Sequence, residues 1–195
     1  MKRFASLFFC IFAMTLSAQT PLTADGVAAF TPTAASGGGG GCTASYSNTG
    51  GTGNRTAIIA VTTTGGMPTG GAPLSAWVNG DTTSNGQFFF GGGAIGSSQS
   101  IVFDFGSGNA VLITEAKYYQ QDATSQGTWK WQGSADNSSW TDIGGNFSLA
   151  TAATTTLTTL SGNSTSYRYY RILGVSGSCS AGPWCYEMEF KICGL

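Results

Sequence analysis

Residues 129–141 read Trp-Lys-Trp-Gln-Gly-Ser-Ala-Asp-Asn-Ser-Ser-Trp-Thr, and no other stretch constrains the fold as strongly. Its first half alternates: Trp129, Trp131 and Gly133 share one face, and Lys130, Gln132 and Ser134 share the other. A period of two is the mark of a half-buried strand. From Ser134 to Ser139 the side chains are short and polar and bond their own backbone, which predicts a tight turn. Trp140 then opens a second apolar step. Two large indoles, with a third across the turn, need a core to hide in.

The rest of the chain repeats this grammar. Residues 54–63 are β-branched and predict a first strand. Residues 65–73 read as a loop, and residues 77–86 form a second loop around Asn79-Gly80-Asp81. Residues 88–90 are three phenylalanines before three glycines. Strands are expected over 100–105 and 110–121, on either side of the turn 106–109. In the second of these, Val111, Ile113, Glu115, Lys117 and Tyr119 fall on one face and Leu112, Thr114, Ala116 and Tyr118 on the other. Further strands are expected over 154–160, 166–175 and 184–193. No stretch has a period of 3.6. Many short strands with glycine-rich turns and no helix predict an all-β chain, a β-sandwich of the jelly-roll kind.

Residues 1–18 read as a signal peptide. Lys2 and Arg3 precede an apolar run, with Ser17 and Ala18 as small residues before a cut. An N-terminal membrane anchor is the competing reading, but the run is short for a span, and nothing later reaches that length. Residues 19–41, with Pro21, Pro32 and a run of glycines, read as a flexible linker, leaving a domain over 42–195. The 195 residues suffice for one domain with a real core. Only 9% are charged, against about 25% in an ordinary soluble protein. Without Lys2 and Arg3 the balance is six basic against nine acidic residues. There is no basic stripe for nucleic acid and no polybasic patch for anionic lipid.

The chain contains no histidine. That removes Ser-His-Asp and Cys-His catalysis and histidine-held zinc. Glu187 and Glu189, at i and i+2 of an expected strand, are the one carboxylate pair that would suit glycoside hydrolysis, and nothing else supplies that geometry. No enzymatic activity is expected. Cys10 leaves with the signal peptide. Cys42, Cys179, Cys185 and Cys193 make an even count, which in an exported chain favours disulfides, with three connectivities open.

Four stretches also resemble, in order, the motifs of the discoidin or coagulation factor 5/8 type C domains, which are galactose-binding-like sandwiches akin to bacterial carbohydrate-binding modules. They are Val78-Asn79-Gly80-Asp81, Ile101-Val102-Phe103-Asp104-Phe105-Gly106, the Trp129–Thr141 stretch, and Tyr167-Arg168-Tyr169-Tyr170-Arg171-Ile172 with Glu187-Met188-Glu189-Phe190. The resemblance implies a bridge between Cys42 and Cys193, leaving Cys179 with Cys185. It implies a structural calcium held by Asn79, Asp81, Thr83 and Glu187, with neutral Asn79 where the family often has an aspartate; a polar turn without metal is the alternative. It makes Glu189 a surface or rim residue and places Arg168 and Arg171 in structural bonds. Trp129, Trp131, Trp140, Tyr167 and Tyr169 are expected in the core. The function implied is a secreted binding module for a glycan or another cell-surface ligand. Its contacts would be Phe89, Gln121, Asp122 and Trp184, all in expected loops. A structural or adhesive subunit of an appendage or virion fibre is the alternative.

Overall fold

The computed structural model describes residues 42–65, 73–83, 93–120, 126–149, 156–179 and 185–195, with the backbone alone for 156–158. The expected signal peptide and linker lie outside these residues. Nine strands are described: β1 (Ala60–Thr64), β2 (Gly93–Ala94), β3 (Ser100–Asp104), β4 (Leu112–Gln120), β5 (Gln126–Ser134), β6 (Thr141–Ser148), β7 (Thr156–Ser161), β8 (Tyr169–Cys179) and β9 (Cys185–Cys193). They form two antiparallel sheets. The larger runs β1-β3-β8-β5-β6, with β2 also on β8; the smaller runs β7-β4-β9. This is the expected all-β sandwich.

The core lies between the sheets and is built largely from rings. Phe190 of β9 meets Phe103 at 5.3 Å and Trp131 at 6.4 Å, both edge-on, and Phe105 at 5.7 Å. Edge-to-face contact at these separations adds to the burial of each ring. Trp129 and Trp131 are fully buried, as the alternation predicts. Their indole N–H groups are satisfied: Trp129 Nε1 donates to the Gln126 carbonyl at 2.6 Å and Trp131 Nε1 to Thr159 Oγ1 at 3.0 Å. The turn after β5 also forms as read. Asp136 Oδ1 accepts from the N–H groups of Ser138 and Ser139, each at 2.8 Å, and Asn137 takes a left-handed φ of 61°.

Several expectations are corrected. Strand β1 is half the expected length, because residues 54–59 turn instead: the N–H groups of Ile58 and Ile59 both donate to the Arg55 carbonyl at 2.9 Å. A single 3-10 turn, Leu74–Val78, appears where only loop was expected, and it delivers Trp77 fully buried into the core. In β4 the two faces exchange partway along. Val111 and Ile113 are buried, but then Ala116, Tyr118 and Gln120. The pairing with β9 shifts between Ile113 and Glu115, and one extra residue in a strand reverses every side chain beyond it. Trp140 is half-buried outside the core, with the Arg171 guanidinium 4.0 Å from its ring centroid. Tyr169 is likewise half-buried, 4.6 Å from the Arg168 guanidinium carbon, and Tyr167 packs on the edge of the core.

Candidate functional site

Cys42 and Cys193 are bonded across 151 residues of sequence. Cys179 and Cys185 are not: both are buried free thiols, which corrects the second expected bridge. Burial pushes the Cys179 thiol up to about 11 and the Cys185 thiol well above its ordinary value. Cys185 Sγ donates to the Glu187 carbonyl at 3.3 Å.

The four residues expected to contact a ligand, Phe89, Gln121, Asp122 and Trp184, all lie outside the described residues. What the structure does give is the points where their segments join the sheets. Gln120 ends β4 and pairs with Cys185, which begins β9. Gln126 begins β5 and pairs with Cys179, which ends β8. Gly93, after the segment that carries Phe89, also pairs with Cys179. A bond from Tyr118 Oη to Gln126 Oε1, at 2.7 Å, ties the two sheets together there. Three segments far apart in sequence are therefore anchored at one end of the sandwich. The anchors are firm, since Gln120, Gln126, Cys179 and Cys185 are all buried. Gln126 Nε2 meets no acceptor among the described residues.

The residues expected to bind calcium are all described. Asn79 Oδ1 accepts the Asp81 N–H at 2.8 Å, and Asp81 Oδ1 accepts the Thr83 N–H at 2.9 Å, so the loop is closed by its own side chains. Glu187 is fully buried. One of its oxygens accepts from Arg55 and the other from the Gly80 N–H at 2.8 Å. Gly80, at φ 86°, is pressed so close to Gly53 that an added Cβ would sit 2.6 Å from its carbonyl carbon. Among the described residues no three of Asp, Glu, His or Cys converge as a metal-holding group. The set does not suit a divalent cation: a guanidinium already stands against the one buried carboxylate.

That guanidinium belongs to Arg55, a residue the sequence reading left inside a strand. It is 2% exposed. Burial pushes it down to about 10, so it is still a cation at neutral pH. It emerges from the turn at 54–59, whose Arg55 N–H donates to the Val78 carbonyl at 2.8 Å.

Glu189 is half-buried and accepts the Tyr119 hydroxyl at 2.6 Å. With Glu187 sealed and ion-paired, the two carboxylates do not form an accessible acid–base pair. Arg168 and Arg171 both make structural bonds. Arg168 clasps Asp104 with two bonds of 2.8 Å and holds that carboxyl below its usual range. Arg171 Nε donates to Gln132 Oε1 at 2.7 Å. No helix among the described residues is long and apolar enough to cross a membrane.

Residues 93–183, under half of the chain, match a family model described as a domain of unknown function, DUF8696. A search of curated proteins gives no match. The chain is similar in structure to chitosan-binding module 2 of a chitosanase/glucanase from Paenibacillus sp. IK-5, solved with chitotriose. The two share 21% identity over 68% of this chain and 95% of that one, with a TM-score of 0.49. It is also similar to the C-terminal domain of a chitobiase from Bacteroides fragilis, at 15% identity over 71% and 93% of the two chains and a TM-score of 0.49. The module CpGH89CBM32-6 of Clostridium perfringens is a third, at 12% identity over 68% and 92% and a TM-score of 0.47.

Proposed function

We propose that this chain is an exported, non-catalytic binding module for glycans, which it holds through loops at one end of the sandwich. The observation that carries the reading is that Gly93 and Gln126 pair with Cys179 in one sheet and Gln120 with Cys185 in the other, with Tyr118 bonded to Gln126 between them. The segments they anchor hold Phe89, Gln121, Asp122 and Trp184. Those four offer two aromatic faces, an amide and a carboxylate, the groups that stack on a sugar ring and bond its hydroxyls. A sandwich that brings several connecting segments to one end suits recognition. The chain has no histidine, and burial of Glu187 removes the carboxylate pair with Glu189 that would have suited hydrolysis. The apolar leader at residues 1–18 supports export.

A single site of this kind should bind weakly, at about 4–6 kcal/mol, or near millimolar to tens of micromolar. Display in several copies would raise the avidity. Binding should change little with salt, because the chain carries few charges. The test is affinity electrophoresis through gels holding a panel of soluble polysaccharides. Wild type should be retarded in at least one. Trp184→Ala and Asp122→Ala, with unchanged melting curves, should run freely. Equal retardation of all three would move the site elsewhere.

One observation favours a structural or adhesive subunit as a second reading. Outer strand β1, Ala-Val-Thr-Thr-Thr, bears no charge or proline, the usual guards of a sheet edge. Gel filtration over a range of concentrations separates the two: the module stays monomeric, and a subunit forms a defined large assembly.

A further inference from the structure

We infer that Arg55 is the resident cation of this domain, and that its guanidinium ties the early loops to the last strand without any need for calcium. The inference starts from a match of numbers. A guanidinium has five N–H donors in a fixed plane. Around Arg55 stand five oxygens. Nε donates to the Gly53 carbonyl at 3.0 Å. One terminal nitrogen donates to the carbonyls of Gly51 at 2.7 Å and Gly50 at 3.4 Å. The other donates to the Met188 carbonyl at 2.6 Å and to Glu187 Oε1. Below the plane lies the Phe190 ring, 5.6 Å from the guanidinium carbon to the ring centroid.

Four carbonyls and a carboxylate converging from separate segments are the donor chemistry of a hard-cation cage. Here the cage closes on a side chain. A buried carboxylate needs a counter-charge, and Arg55 supplies it from within the chain. The second oxygen of Glu187 holds the Gly80 N–H, so one ion pair joins three segments: residues 50–55, the loop at Gly80, and β9. A metal bound to Glu187 would have to displace the guanidinium and leave its positive charge buried beside another, an arrangement with no compensation. The glycines serve the backbone that presents these carbonyls: Gly50 and Gly53 take left-handed φ values of 87° and 73°, and a Cβ on Gly51 would sit 2.2 Å from the Tyr46 carbonyl oxygen.

The experiment is thermal unfolding of the full chain in excess chelator and in millimolar calcium, with titration by terbium followed through tryptophan-sensitised luminescence. The expected result is one melting temperature in all conditions and no saturable luminescence. A rise of several degrees with calcium, a fall with chelator, or a saturable terbium signal would overturn the inference. Arg55→Lys keeps the charge but has three donors in place of five. Its melting temperature should fall by on the order of 10 °C. A variant melting with the wild type would overturn the inference too. If the variant does not fold, the wild-type measurements decide the question alone.

Discussion

Two dry regions of the sandwich meet at Phe190, and they are held by different physics. Toward the larger sheet, Phe190 packs on Phe103, Phe105 and Trp131, where attraction is non-directional and spread over many contacts. Over its ring lies the Arg55 guanidinium, where five directed bonds, one of them the ion pair to Glu187, close a cage. Both regions exclude water: Phe190 and Glu187 are each 0% exposed. The ring cluster loses stability by degrees as atoms are removed. The cage fails as a unit, because any missing donor leaves a buried oxygen, or a buried charge, without a partner. A conservative substitution should therefore be mild in one region and severe in the other.

Arg55→Lys should produce the largest loss, about 3–5 kcal/mol in chemical unfolding, because three donors leave buried oxygens of the five unpartnered. A loss below about 1 kcal/mol would mean the cage tolerates a point charge. Gly80→Ala comes next, at about 2–3 kcal/mol. It forces a left-handed residue to carry a Cβ against the Gly53 backbone, which has no flexible end to give way. Phe190→Leu, the matching conservative change in the ring cluster, should cost less than the Arg55 variant, at about 1–2 kcal/mol. Should Phe190→Leu prove the costlier of the two, the contrast between the regions is reversed.

The smallest effect should come from Asp104, outside both regions. Arg168 and the Gly106 N–H hold its carboxyl below the ordinary value. A carboxylate depressed in the fold adds stability that is fully present above the unfolded value of about 3.9 and is lost as pH falls through the folded one. Asp104→Asn should thus lower stability at pH 7 by about 1 kcal/mol or less. It should also flatten the acid arm of the melting-temperature profile below about pH 4. An identical acid arm in wild type and variant would show that this pair contributes no pH dependence.

Much of the ring cluster was legible in the sequence, and the cage was not. Trp129 and Trp131 announce their face by alternation, and the turn at Asp136 announces itself by side chains that bond their own backbone. The face exchange in β4 was hidden, since a bulge depends on pairing with β9 and not on the local pattern. Trp140 misled because an indole beside a turn can leave the core when an arginine covers it. Arg55 sat unnoticed in a β-branched run. Its partners are mainly carbonyls, which every residue possesses and no sequence displays. Glu187 was picked out through family resemblance as a calcium ligand, and the structure sets a guanidinium against it. The even cysteine count suggested two bridges where one is found, because counting cannot see that Cys179, at the end of β8, and Cys185, at the start of β9, are separate buried thiols. The contacts proposed for a glycan lie in segments whose anchors alone are described.

The central claim is that Arg55 and Glu187 act as one unit, and a double-mutant cycle tests it directly. Arg55→Met, Glu187→Gln and the double variant would be unfolded in urea alongside wild type. If each charge is stabilised chiefly by the other, the double variant should be far more stable than the sum of the single losses predicts, with a coupling of about 2–3 kcal/mol. Additivity to within about 0.5 kcal/mol would contradict the account, because two independent groups behave in that way.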